Sequence, residues 1–142
     1  MTSLSFPDIN VWLALLLEDH VHRHAAKRWW DADRSEAVGF IRLTQVGVLR
    51  LLTTPAAMNG KPLTMSAAWR AYDQLFRDAR VAFFDEPPDV ESAFREGAKE
   101  ECASPKVWAD AWLAAFAECA GGALITFDRG LAARCGNCVL LV

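Results

Sequence analysis

Three aspartates occupy positions where a carboxylate has to be accounted for. Asp8 follows the run Leu4-Ser5-Phe6-Pro7, which reads as a strand, and leads into Ile9-Asn10-Val11. Asp128 follows Ala123-Leu124-Ile125-Thr126-Phe127 and precedes Arg129-Gly130. Asp110 lies in a helical stretch whose only other charges are Lys106 and Glu118, and at helical spacing it shares a face with Leu113, Ala114 and Ala117. Each has an ordinary explanation: Asp8 as a helix N-cap before Val11, Asp110 as the partner of Lys106 one turn back, Asp128 as a turn former before Gly130. Together they admit another. Two strand-end aspartates and one on a buried helix can converge above a sheet, where their repulsion would be severe without a cation. Mg2+ or Mn2+ resolves that conflict, because both favour oxygen donors, keep several waters and bridge to phosphate oxygens. Such an ion stabilises charge on a phosphodiester and lowers the pKa of a water that attacks phosphorus.

Convergence of this kind needs strands and helices in alternation. Short apolar runs predict strands over 4–9, 36–41, 81–84, 123–127 and 137–142. Helical spacing predicts helices over 11–17, 20–30, 43–52, 64–79, 90–101 and 105–119, with a short turn of helix over 130–133. Ser104 and Pro105 read as the N-cap and first position of the helix that carries Asp110, and Gly121-Gly122 as its end. Pro7, which lacks an N–H, argues that the first strand lies at an edge or stops pairing early. The alternation implies an α/β fold with a mostly parallel sheet covered on both faces, and ligands in such folds collect at the carboxyl ends of the strands.

At 142 residues, 53% hydrophobic and 23% charged, the chain has the balance of one packed domain spanning 1–142. A net charge of −3 excludes a uniformly basic nucleic-acid binder, so any RNA contact must be local. No apolar run reaches the roughly 20 residues needed to cross a bilayer, and the start of the chain lacks the pattern of a secretory signal, so the expected place is the cytoplasm. Cys102, Cys119, Cys135 and Cys138 crowd the last third, which favours reduced thiols, and the lone CxxC is too little for a zinc site.

The motifs around the aspartates resemble a known family. Asp8-Ile9-Asn10-Val11-Trp12-Leu13-Ala14-Leu15 is similar to the opening motif of PIN-domain toxins of the VapC type, and the stretch from Leu43-Thr44-Gln45-Val46 to Thr53 to their central helix. Asp110-Ala111-Trp112-Leu113-Ala114-Ala115 resembles their Asp-Ala helix, and Thr126-Phe127-Asp128-Arg129-Gly130 their last motif. The resemblance covers almost the whole chain, with its motifs in the right order. It implies a three-layer α/β/α sandwich and a Mg2+-dependent endoribonuclease, the toxin of a toxin–antitoxin pair. It also implies a cognate antitoxin that blocks the site, with Asp8, Asp110 and Asp128 as acidic metal ligands. Where the family commonly has a glutamate, this chain has Gln45, whose amide can coordinate weakly or hydrogen-bond a metal-bound water.

Other features carry weaker chemistry. His20 and His24 share a face if both are helical, but no third ligand accompanies them, so a polar face is expected. Arg23, Lys27, Arg28, Arg42 and Arg50 read as a solvated basic face that can line a groove for RNA. The six tryptophans read as core or interface residues, and with the apolar end over 139–142 they predict a symmetric homodimer. Walker, dinucleotide-binding and serine-hydrolase motifs are missing, and a phosphotransfer site built on Asp8 lacks its companion residues. The rival from another class is a PIN-like module that has lost catalysis and only binds a protein or RNA partner, with Gln45 as the mark of that loss.

Overall fold

The computed structural model describes residues 3–142. Among them, five strands, β1 (Leu4–Pro7), β2 (Ala37–Phe40), β3 (Val81–Phe83), β4 (Ala123–Thr126) and β5 (Cys138–Leu140), form one sheet in the order β3-β2-β1-β4-β5. Every neighbouring pair is parallel. A parallel sheet needs a crossover between strands, and helices supply it: α1 (Ile9–Leu16), α2 (Arg23–Ala32), α3 (Arg42–Leu52), α4 (Met65–Leu75), α5 (Val90–Gly97), α6 (Val107–Ala120) and α7 (Arg129–Arg134). The unforeseen addition is a single 3-10 turn, Pro55–Met58.

Two separate apolar clusters show that both faces of the sheet are covered. On one face Phe6, Ile41 and Leu124 pack with Val90 of α5, Leu113 and Phe116 of α6 and Leu131 of α7. On the other Val38, Phe40 and Val81 pack with Trp12 of α1, Val48 and Leu52 of α3 and Tyr72 of α4. The result is the expected three-layer α/β/α sandwich. Each such side chain contributes roughly 1.5–3 kcal/mol when fully buried. Phe6 shows how closely the first cluster is fitted: a Cβ on Gly39 would come within 2.6 Å of its ring, and one on Gly122 within 2.5 Å. The neighbouring residues are glycines because the ring takes up their side-chain space.

Several sequence expectations change in detail. β1 is the central strand, so Pro7 does not mark an edge. The early end does occur, but on one side only. Pairing with β2 stops at Ser5, whereas pairing with β4 continues to Pro7. Because the Asp8 N–H points to Ile125 of β4, the nitrogen of Pro7 faces the β2 side, where the ladder has already ended and no donor is needed. Helix α6 starts at Val107, not at Pro105, with Lys106 as an N-cap that makes no side-chain cap bond. Ser104 and Pro105 instead form the turn before it, closed by the Val107 N–H on the Ser104 carbonyl at 3.0 Å. Helix α2 starts at Arg23, which leaves His20 and His22 in the preceding loop.

From β1 the chain moves outward through β2 and β3 on one side, and β4 and β5 lie on the other. The carboxyl ends of β1 and β4 therefore flank a topological switch point, where α/β sheets form a crevice. Asp8 follows one of these strands directly and Asp128 follows the other after one residue.

Candidate active site

Asp8 is 6% exposed, held in place from three directions. Its backbone N–H donates to the Ile125 carbonyl at 2.9 Å, tying the end of β1 to β4. One carboxylate oxygen caps α1 by accepting from the Val11 N–H at 3.1 Å, and the other accepts the Thr126 hydroxyl. Burial raises the Asp8 pKa, the hydrogen bonds from Thr126, Val11 and Asn10 oppose that, and the Asp128 charge adds to it; the net direction is upward.

Asp128 is exposed and caps α7, accepting from the N–H of Gly130 at 2.8 Å and of Leu131 at 3.2 Å. Its own N–H donates to the Thr126 Oγ1 at 2.9 Å. The ordinary readings of Asp8 as a cap and of Asp128 as a turn former are therefore both correct, and neither removes the residue from the crevice. A carboxylate oxygen of each is committed to the backbone, which fixes where its charge stands.

Thr126 is the residue that sequence reasoning passed over. It is fully buried at the end of β4 and its hydroxyl joins the two aspartates, donating to Asp8 and accepting from the Asp128 N–H. The available signal was a lone hydroxyl in an otherwise apolar strand, two residues before Asp128.

Asp110, in the first turn of α6, is half-buried rather than enclosed. Its pKa is raised by burial first and by the Asp128 charge second, and Arg134 of α7 opposes both. Lys106 takes no part in this balance, so the local pairing considered from sequence is replaced by a cation 24 residues away in the chain (134 − 110). That cation is shared, since Arg134 also meets Glu100 at 3.2 Å. Asp128 thus repels both Asp8 and Asp110 and links the two electrostatically.

Gln45 is buried in α3, and its amide is committed elsewhere: it accepts from the Arg42 guanidinium and donates to the Tyr72 hydroxyl at 3.3 Å. Arg42 lies over the Phe83 ring at 4.6 Å. Among the described residues Gln45 makes no hydrogen bond to an aspartate.

The donor chemistry suits a hard divalent cation: oxygen ligands only, one of them a desolvated carboxylate, and charges that oppose one another. Among the described residues no three His, Cys, Asp or Glu side chains are grouped closely enough to hold a metal ion between them. Magnesium asks for less, since it usually binds through one or two carboxylates and retains waters.

The remaining sequence candidates fall outside this arrangement. Arg23 donates to the carbonyls of Ala14 and Leu15 at the end of α1, and Lys27 pairs with Asp31 at 2.7 Å. All four cysteines are free. Trp12 is fully buried, whereas Trp69 and Trp108 are exposed.

Comparison with known proteins places the fold and the family. The PIN domain family model matches residues 5–137. The chain is 42% identical over 126 residues to Ribonuclease VapC41 of Mycobacterium tuberculosis, covering 85% of this chain and 86% of that protein. It is 30% identical over 127 residues to Ribonuclease VapC44 of the same organism, covering 88% and 86%. The crystal structure of Mycobacterium tuberculosis VapC20, described as a sarcin–ricin loop cleaving toxin, superposes with a TM-score of 0.69 at 20% identity, covering 97% of this chain and 99% of that one. With a family match over nearly its whole length and a relative 42% identical over most of both chains, the chain belongs to the PIN-domain family and, within it, to the VapC group.

Proposed function

We propose that this chain, read as one domain, is a Mg2+-dependent endoribonuclease, with Mn2+ as a substitute, and the toxin of a toxin–antitoxin pair. The observation that carries the reading is the Thr126 hydroxyl, which joins buried Asp8 to exposed Asp128 at the switch point of the sheet. Asp8, Asp110 and Asp128 are the acidic ligands of this reading, one or two of them binding the cation directly and the rest through its waters, with Asp8 as the fixed buried carboxylate and Asp128 as the solvent-facing one. When bound, the ion supplies charge stabilisation on the phosphodiester and lowers the pKa of a water. Thr126 keeps Asp8 aimed into the crevice, and the Asp8 N–H bond to Ile125 holds the two strand ends together. Arg134 tempers the charge at Asp110. Gln45 acts at one remove, by bracing α3 against Tyr72 of α4 and holding Arg42 over the Phe83 ring.

The relatives are named as ribonucleases, which supports RNA as the substrate. A cognate antitoxin and a second copy of the chain are the proposed protein partners. Exposed Val46, Met65 and Trp69 line an apolar groove of about 520 Å3 between α3 and α4, rimmed by Arg42 and Arg50, which suits an apolar antitoxin segment with acidic flanks. Val139 and Leu140 on the edge strand β5, with Val142 beyond it, are the exposed apolar residues expected at a dimer contact. Among the described residues no helix is long and apolar enough to cross a membrane, and we place the protein in the cytoplasm.

The test is cleavage of single-stranded RNA at internal phosphodiesters, with magnesium or manganese and with chelator, by the wild type and by Asp8→Asn and Asp110→Asn. Cleavage that needs metal and disappears in both folded variants is expected. Chelator-insensitive cleavage, or full activity in Asp110→Asn, would overturn the assignment. The commitment of Gln45 to Arg42 and Tyr72 favours one other reading, a catalytically impaired PIN-like module that only binds a partner. That module would show no stabilisation by magnesium, whereas an enzyme gains stability by mass action.

A further inference from the structure

At the margin of the carboxylate site two rings lie face to face. The His22 imidazole stacks on the Phe127 ring with centroids 4.4 Å apart and planes 18° from parallel. Phe127 comes between Thr126 and Asp128, so the stack adjoins the bridge just described. His22 comes from the loop between α1 and α2, which is braced in that position. The His22 backbone N–H donates to the His20 Nδ1 at 3.0 Å, and the centroids of the two imidazole rings are 5.8 Å apart at a tilt. Arg23, the next residue, is fastened to the carbonyls that end α1.

Core packing does not explain the arrangement. Neither ring belongs to either apolar cluster, and His22 remains exposed while Phe127 is half-buried. Burial of so little surface contributes correspondingly little. What the stack does provide is a flat aromatic platform one residue from Asp128, open to solvent, on a braced loop. Successive bases of a single strand stack on such platforms, and an unpaired base has a free face to offer.

We propose that His22 and Phe127 form a stacking shelf for an unpaired nucleobase beside the scissile phosphate, and thereby select which RNA position reaches Asp8 and Asp128. The assignment rests on the ribonuclease reading above. The base extends the Phe127–His22 stack by one ring, so the enzyme favours loops and single strands over duplex, in which both faces of each base are already occupied.

The experiment is an abasic scan of the nucleotides on either side of the cleaved bond, in a single-stranded RNA with magnesium, for wild type, His22→Ala and His22→Phe, with a thermal melt of each protein. In the wild type one abasic position raises KM about tenfold, the scale of one lost base–aromatic stack. His22→Ala raises KM on the intact RNA by a similar factor, more than it lowers kcat, and is then indifferent to the same abasic position. His22→Phe restores the wild-type pattern because it retains a ring. Equal abasic penalties in wild type and His22→Ala would overturn the shelf while leaving the nuclease intact. So would a His22→Phe variant that behaves like His22→Ala. If the wild type cleaves no RNA with metal present, the ribonuclease reading falls and the shelf with it.

Discussion

Replacing Thr126 by valine removes one hydroxyl from a fully buried site and keeps almost the same shape. Two hydrogen bonds go with it: the one donated to the Asp8 carboxylate and the one accepted from the Asp128 N–H. A bond to a charged group contributes about 1.5–3 kcal/mol and a neutral one about 0.5–1.5, so the expected loss is roughly 2–4 kcal/mol. That is a large part of the ~5–15 kcal/mol that holds a domain together, yet the protein stays folded. At about 3–4 °C per kcal/mol for a domain of this size, Tm falls by roughly 6–16 °C. Activity reports the same bond separately. The Thr126 hydroxyl holds the Asp8 pKa down against burial, so its loss raises that pKa further and moves the acid limb of the cleavage profile to higher pH. Thr126→Ser retains the hydroxyl and loses one methyl, about 1 kcal/mol, without moving the acid limb. Melts and pH–rate profiles of the three proteins decide the matter. A Thr126→Val protein within about 0.5 kcal/mol of wild type, with an unshifted acid limb, would refute the bridge.

The pH dependence of the metal-free protein has a definite sign. The pKa values of Asp8 and Asp110 are both raised on folding, so their contribution to stability is full below the ordinary carboxylate range and is lost as pH rises through the raised folded values. In chelator at neutral pH, Asp8→Asn therefore melts above wild type, and the gap closes as the pH approaches the carboxylate range; a constant gap would contradict the burial argument. Magnesium at a hundredfold excess over its Kd stabilises the wild type by about 2.7 kcal/mol and Asp8→Asn far less, read by the shift in melting temperature. Gln45→Glu keeps the Arg42 bond and lets the Tyr72 hydroxyl donate instead of accept, so it folds normally and, with its carboxylate held on those partners, leaves the midpoint of a magnesium titration unchanged; a lower midpoint would place residue 45 at the metal. Gly39→Ala drives a Cβ into the Phe6 and Phe84 rings and lowers the urea midpoint by an amount worth about 1–3 kcal/mol.

Much of the candidate site was legible because its signals are local. A carboxylate after an apolar run, a helix that is apolar on nearly every face and a Gly after an Asp can each be read within a few residues, and they put Asp8 and Asp128 at strand ends and Asp110 on a mostly apolar helix. The alternation of periodicities likewise implied a parallel sheet with two covered faces. Strand order was not legible, because Pro7 at an edge and Pro7 at the end of a one-sided ladder look the same in sequence. Only the placing of β1 between β2 and β4 decided between them. The same holds for partners. Lys106 was the near cation for Asp110, but α7 packing brings Arg134 to bear instead. Gln45 finds Tyr72 across the contact between α3 and α4, and His22 finds Phe127 across the sheet end. Side-chain type and local spacing set what a residue can do, whereas its partner depends on which elements pack together, and that is settled by burial summed over the whole chain.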